Sequence, residues 1–347
     1  EEVRTKLLSD EWADRLDKPL AYWALPTDRS SPIALMGKTL RELVQVPFAD
    51  LYATPGIGQK KINCLIELLQ RAASPHPPGS VESATGSDAE APAEGSHVDT
   101  SIVSEALWVQ WQQTIRDQGL GKETLGRFAP SLQSLPRVIW NTPLDAYTAL
   151  SLAQIRSLKT HGEKRVRAVL EVFGSLHLLL AATNPQPHLS LRVTPRFVAA
   201  IENWAHAVTH RTAAVDAAEI RRCFVDPLMA QVYTDAGEQI AKLAEGRLRL
   251  DGSGATVRQV ARRMGLTRAR VYQLLGDIGA AMSVRWPDGC AAVQNLSNAL
   301  HEQVQDPHEL ELFDAVVELF FPNSRHEGVF VAEGEQPLKL TAKAHAN

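Results

Sequence analysis

Residues 39–72 read TLRELVQVPFADLYATPGIGQKKINCLIELLQRA, and this run decides the fold. After Gln59 its apolar residues recur at spacings of three and four, so Ile62, Leu65, Ile66 and Leu69 line one face of a helix. A shorter helix ends near Thr54, and Pro55-Gly56-Ile57-Gly58 turns the chain between the two. Gly56 and Gly58 permit a tight turn and leave backbone N–H groups unshielded. The second helix brings its free N-terminal N–H groups and the positive end of its dipole to the same point. An anion is favoured there, and Lys60 and Lys61 add full charges. The same spacing returns at Val166, Val169, Leu170 and Phe173, while alternation of period two is confined to short pieces such as Gly328–Ala332. The expectation is an all-α fold.

Two helices about such a turn make a helix-hairpin-helix, which grips nucleic-acid backbone without reading bases. The blander reading of the same residues is a glycine turn joining two core helices, with the lysines merely solvated. A Walker A loop fits poorly because no GK[ST] follows at the required spacing. A dinucleotide fingerprint fails at Lys61, where a third glycine is needed, and no strand precedes it. Over 39–72 the chain resembles the C-terminal domain of the bacterial RNA polymerase alpha subunit, through Glu42-Leu43-Val44-Gln45, Asp50-Leu51, Thr54-Pro55, Gly58, Lys60 and Lys61. That resemblance implies DNA backbone contacts by Gly56, Ile57, Gly58, Lys60 and Lys61. The family's minor-groove arginine sits on a preceding helix, whereas Thr27–Ile33 here is broken by Pro32, so Arg29 departs from the pattern.

Shifted by 104 positions, the sequence echoes itself without a gap over 143–174. Gly58, Lys60, Lys61, Ile62, Leu65 and Leu68 fall on Gly162, Lys164, Arg165, Val166, Val169 and Val172. Leu40, Val46, Phe48 and Leu51 fall on Leu144, Leu150, Leu152 and Ile155. The turn changes from PGIG to KTHG and loses one glycine, while Lys159, Lys164, Arg165 and Arg167 keep it basic. Gly162, Lys164 and Arg165 are the candidate backbone contacts of this degenerate copy. The alternative is a decayed repeat kept for packing or for a protein partner.

Residues 247–279 read RLRLDGSGATVRQVARRMGLTRARVYQLLGDIG. Thr256 can cap a helix carrying Val257, Val260 and Ala261 on one face. Gly265 falls where the interhelix turn needs a positive φ, with Leu266 packed beneath it. Thr267 caps a second helix whose Val271, Leu274 and Leu275 point inward, leaving Arg268, Arg270, Tyr272 and Gln273 outward. This is a helix-turn-helix over 256–279, a motif whose second helix enters the major groove. Arg258, Arg262, Arg263, Arg268 and Arg270 lie between positions 256 and 272 with no acid among them, so the patch is strongly basic. The stretch resembles region four of the primary bacterial sigma factors over 247–281, in its lead-in Leu250-Asp251-Gly252 and in the pattern T-x-x-x-V-A-x-x-x-G-x-T-R-x-R-V-x-Q. The resemblance places Thr267, Arg268, Arg270, Tyr272 and Gln273 on a DNA-facing recognition helix, with Arg258, Arg262 and Arg263 as supporting charge. None of that family's other regions is present. The less specific reading is a winged-helix or bundle core that packs on a protein.

Ala73–Thr100, with no aromatic residue and only Val81 and Val98 as sizeable apolar residues, reads as a flexible acidic linker. The expected organisation is therefore a first hairpin domain at 1–72, the linker at 73–100, and a second hairpin domain at 101–182. After the break Thr183–His188 comes a helical domain at 189–321, then a tail at 322–347. The 347 residues, 44% hydrophobic and 22% charged, suffice for several packed cores. A formal charge of -4, from 36 basic against 40 acidic residues, excludes a uniformly basic histone-like protein but not local basic patches. Cys64, Cys223 and Cys290 are too few and too scattered for a disulfide framework or a structural zinc site, which suggests a reducing compartment. The longest apolar run, Leu176–Ala182, is too short to span a bilayer. Glu1-Glu2-Val3-Arg4 carries no signal-peptide pattern and reads as a trimmed start.

Candidate chemistry is sparse. Glu202, His206 and His210 recur at helical spacing, but without the HExxH order or a further ligand signature, so no metal site is expected. A base-excision glycosylase needs an aspartate about twenty residues beyond its hairpin, and that position falls in the linker, with the next at Asp88. No nucleophile with a base and no paired carboxylates emerge, so neither enzyme activity nor a cofactor is expected. Leu310–Phe321 is amphipathic and either completes a core or docks a partner. Trp286-Pro287-Asp288-Gly289 reads as a helix stop with an aromatic anchor. The sum describes a cytoplasmic, nucleoid-associated protein that binds double-stranded DNA, with no membrane role. A transcription regulator leads. The alternatives are a docking subunit of a phage-defence, transposition or repair assembly, and an adaptor bound to RNA polymerase.

Overall fold

Thr39 opens helix α1 (Leu40–Gln45) with a capping box: its hydroxyl accepts from the Glu42 amide at 3.2 Å, and the Glu42 carboxylate accepts from the Thr39 amide at 2.9 Å. Pro47 then starts α2 (Phe48–Tyr52), and beyond the glycine turn α3 (Gln59–Ala72) buries Ile62, Leu65 and Leu68. These side chains meet Leu40, Leu43 and Leu51 and the upstream Leu20 and Trp23 in one core. The computed structural model describes residues 2–76, 99–182, 193–210, 215–250, 257–304 and 307–322, and it is predominantly helical with no strand among them. By contacts the chain divides into two compact units, one up to Arg196 and one from Phe197.

The first unit is a duplication. The second copy comprises α4 (Glu105–Asp117), α5 (Leu152–Ser157) and α6 (Glu163–Ala182) with the short turns between them. The shift of 104 residues carries α2 onto α5 and α3 onto α6, and the pairs Leu40/Leu144, Leu51/Ile155, Ile62/Val166, Leu65/Val169 and Leu68/Val172 are all buried. The repeat reaches well upstream of its visible echo. In the first copy the Leu20 amide donates to Lys38 and the Leu40 amide to Lys18, at 2.9 and 3.0 Å. In the second the Leu125 amide donates to Thr142 and the Leu144 amide to Glu123, at 3.0 and 2.8 Å. Each copy thus clips its upstream half to its hairpin by one antiparallel bridge, Pro19 with Thr39 and Thr124 with Pro143.

The two copies belong to one compact unit, whereas the sequence reading places them in two domains, 1–72 and 101–182, joined by a flexible linker. Ala106, at the start of α4, packs against the first copy's core. The linker is also shorter at both ends than expected. Ala73 is buried, and the Arg15 guanidinium, stacked 4.1 Å over Trp12, donates to the carbonyls of Ala72, Ser74 and Pro75. At the other end Asp99 caps the turn Thr100–Ile102 through the Ser101 amide at 2.9 Å. The remainder of that segment, 77–98, lies outside the described residues, as do the break at 183–188, the tail from 323 and the alternating Gly328–Ala332.

In the second unit, α7 (Arg196–Thr209), α8 (Asp226–Ala236), α9 (Glu238–Arg247), α10 (Val257–Arg263), α11 (Arg268–Arg285), α12 (Gly289–Gln303) and α13 (Pro307–Phe320) enclose one core. Leu310, Phe313, Val316, Val317 and Phe320 are buried, so the amphipathic 310–321 segment completes this core. Phe313 packs on Phe224 with ring centroids 4.8 Å apart. Trp286 stops α11 and is wedged against Phe197 and Phe321, as an aromatic anchor should be. The end of α11 is pinned to α8 by a fully buried ion pair: Arg285 Nε donates to Asp235 Oδ2 at 2.9 Å, and Gln231 donates to the same oxygen at 2.7 Å. Among the described residues, no helix is long and apolar enough to cross a membrane.

Candidate nucleic-acid interface

The first hairpin turn has the backbone its glycines were expected to supply. Gly56 sits at φ +79°, and Gly58 is extended and opens α3 without any side-chain cap on the first-turn amides. The Lys61 amide already donates to Gly58 O at 2.9 Å, which leaves the Gln59 and Lys60 amides as the open donors of the helix start. Ile57 is buried and its amide is bound to Thr54 O at 3.1 Å, so it anchors the turn and, against the sequence expectation, has no free donor for a phosphate. The two lysines differ. Lys60 is exposed, whereas Lys61 is partly buried and folds back, its Nζ donating to Gly56 O at 2.7 Å.

The second turn repeats this architecture despite its different sequence. The His161 amide donates to Leu158 O at 2.8 Å, and Arg165 reaches back to Thr160 O as Lys61 reaches Gly56 O. Two substitutions alter its chemistry. Thr160 replaces Gly56 and is not in the left-handed region. His161 replaces Ile57 and bonds Tyr147 Oη through Nε2 at 2.9 Å, so a polar pair stands where the first copy has Leu43 and Ile57. Burial, and then the charge of Arg165, pull the His161 pKa below its ordinary value, which keeps the ring neutral near pH 7. Gly162 is open and Lys164 exposed, but Glu163 stands where the first copy has Gln59, and Arg167 is paired with Glu171 at 3.0 Å. Arg156, His161, Glu163 and Arg167 line a cleft of about 540 Å³ beside this turn.

Helices α10 and α11 are joined by a short turn at Gly265. Thr267 Oγ1 accepts from the Arg270 amide at 3.2 Å, and Gly265 lies at φ +64°. Val260, Ala261, Val271, Leu274 and Leu275 are buried, and Leu266 packs against the same core. Arg258, Arg262, Arg263, Arg268, Arg270 and Gln273 are all exposed, and Tyr272 keeps 62% of its surface in solvent. Arg270 also reaches Gln273 Oε1 at 3.4 Å. α11 runs on to Arg285, six residues past the expected end at Gly279, because its later turns bury Ile278, Ala281 and Met282. The Thr256 cap and the Asp251-Gly252 lead-in lie outside the described residues.

The remaining candidates do not converge. His206 and His210 are exposed and stack on each other at 4.2 Å, and no cluster of three metal-binding side chains exists among the described residues. Arg29 is exposed and lies outside any helix. Sequence reasoning missed the Asp235–Arg285 pair, for which a lone acid and a lone arginine fifty positions apart carry no signal. No family model, curated protein or solved structure matches the chain.

Proposed function

We propose that this protein binds duplex DNA, holding the backbone with its first hairpin and reading the major groove with the start of α11. The observation that carries the reading is the exposure of Arg258, Arg262, Arg263, Arg268 and Arg270, in a stretch 256–272 whose sequence holds no acid, on a helix pair with Thr267 as cap and Gly265 as turn. Arginines at the N-terminal end of a second helix suit base edges and phosphates alike, and the charges alone favour a polyanion. Gly56, Gly58 and Lys60 add a sequence-independent grip, so backbone and base contacts are divided between modules. Together with the resemblances to the alpha-subunit tail and to sigma region four, this favours a bacterial transcription regulator.

The second hairpin supports a related role for its own surface. Glu163 at the helix start and Thr160 in place of a glycine make it a weaker phosphate site than the first. A protein-facing second copy fits a docking subunit of a DNA-acting assembly or a polymerase-bound adaptor. Fluorescence anisotropy on random duplex across a salt series tests the central claim. Affinity falling steeply and linearly in log–log form with salt supports a multi-phosphate interface. No binding at low salt refutes it, and capture of polymerase by the DNA-inactive protein would favour the adaptor.

A further inference from the structure

Arg249 lies at φ +61°, a left-handed conformation that side chains with a Cβ rarely adopt. It follows the last turn of α9, where the Leu248 amide donates to Ala244 O and the Leu250 amide to Glu245 O, each at 2.9 Å. This pattern of bonds ends a helix with one residue at positive φ, a position that favours glycine. Leu248 is buried and Leu250 packs against the core, so the strained residue between them is held from both sides. Arg249 itself is exposed and, among the described residues, has no ion pair or side-chain hydrogen bond. A cation after a helix C-terminus also complements the dipole, but Arg247 already supplies one in the last turn. Among the described residues, nothing therefore rewards arginine over glycine here.

What arginine can reward is a partner. α9 packs against both α10 and α11, so Arg249 is carried by the same body of helices as the exposed arginines of the helix-turn-helix. We propose that Arg249 is a phosphate-contacting residue of the DNA interface, outside the helix-turn-helix proper, kept at a position where the backbone favours glycine. The inference rests on the DNA-binding reading above. Its ligand is the sequence-independent sugar-phosphate backbone, since a single arginine beyond the recognition helix adds charge rather than a base pattern.

The test opposes stability to binding in the full-length chain. Arg249→Gly relieves the left-handed strain and removes the charge. It should melt no lower than the wild type, yet bind random 25-mer duplex about 8-fold more weakly at 0.1 M salt, with a salt slope shallower by about 0.9. Arg249→Lys should keep the wild-type slope. Wild type that fails to bind duplex at any salt overturns the DNA reading itself. Wild type that binds, with a glycine variant of equal affinity and slope, overturns the role of Arg249 alone. Should the glycine variant melt lower, Arg249→Asn against Arg249→Lys decides, because asparagine tolerates the left-handed region: equal slopes in that pair refute the contact.

Discussion

Lys61 Nζ donates to the carbonyl of Gly56 at 2.7 Å, and under the internal duplication Arg165 makes the same contact with Thr160. The third residue of the second helix is thus a clip that closes the hairpin turn, in both copies and on two different turn sequences. Its neighbour Lys60 has no such commitment and is exposed. Two adjacent lysines that look equivalent therefore have separable roles. Lys60→Ala is expected to lower the salt slope of duplex binding by about 0.9, the share of one phosphate contact. Lys61→Ala is expected to change the slope by less than half as much and to cost about 0.5–1 kcal/mol of stability, the range of a net hydrogen bond. Salt titrations and urea melts of the two variants check this, and equal slopes in both would remove the distinction.

Gly58 opens α3 with ordinary extended backbone, and a Cβ placed there meets nothing within 4 Å. Folding thus does not require glycine, and serine is the better N-cap. Gly58→Ser is expected to hold or slightly raise the melting temperature while weakening DNA binding, because its hydroxyl would occupy the amides that a phosphate needs. Unchanged affinity would show that the first hairpin does not approach the backbone.

Arg268 and Arg270 stand at the exposed start of α11, with Tyr272 and Gln273 beside them. Once a preferred duplex has been selected from random sequence, Arg268→Ala with Arg270→Ala should cost about 1–3 kcal/mol per lost base contact on that duplex and less on random DNA. Competition anisotropy on the two duplexes measures the difference. Equal losses would mean that both arginines touch only phosphate.

The features that stand out in the sequence are those where backbone geometry demands a residue type. Gly56 and Gly265 do sit at positive φ, and Thr267 does cap its helix, because few residues serve at such positions. Apolar spacing likewise gives away the inward faces of α6 and α11, whereas in α3 only Ile62 and Leu65 of the expected face are buried: Ile66 is exposed, Leu69 is partly buried, and Cys64 and Leu68 point inward instead. The upstream half of the duplication escapes notice because its signature is a main-chain bridge, Leu20 to Lys38 against Leu125 to Thr142, which constrains no side chain but the buried leucine. The packing of Ala106 onto the first copy is hidden for a similar reason, since small apolar residues look alike at core and surface. Lys61 differs from Lys60 only by its rotation about α3, and Arg249 looks like one more surface arginine until its φ is known.

Asp235 and Arg285 are both buried, and each neutralises the other's charge. Removing one partner strands the other in the core, so Asp235→Ala is expected to cost about 3–5 kcal/mol. Replacing both by apolar residues, Asp235→Leu with Arg285→Met, should recover most of that loss. Urea unfolding of the single and double variants reads the coupling. A single variant within about 1 kcal/mol of wild type would mean that the site relaxes and admits water.

Asp28 gives the first unit a pH dependence. Burial alone pushes its carboxyl up, but hydrogen bonds from Arg71 and from the Leu25 amide, with the Arg71 charge, outweigh burial and hold it below the ordinary carboxylate range. A carboxyl whose folded pKa lies below its unfolded value of about 3.9 binds fewer protons in the folded chain. It therefore stabilises the fold fully above about pH 4, and that contribution fades as the pH falls through the folded value. Asp28→Asn should be less stable than wild type at pH 7 by about 1–3 kcal/mol, the scale of hydrogen bonds to a charged group. Between pH 5 and about pH 2.5 it should lose less stability than wild type does, so the two urea midpoints converge in acid. Parallel acid limbs for the two proteins would show that the Asp28–Arg71 pair, although only 5% and 19% exposed, does not set the acid response of this unit.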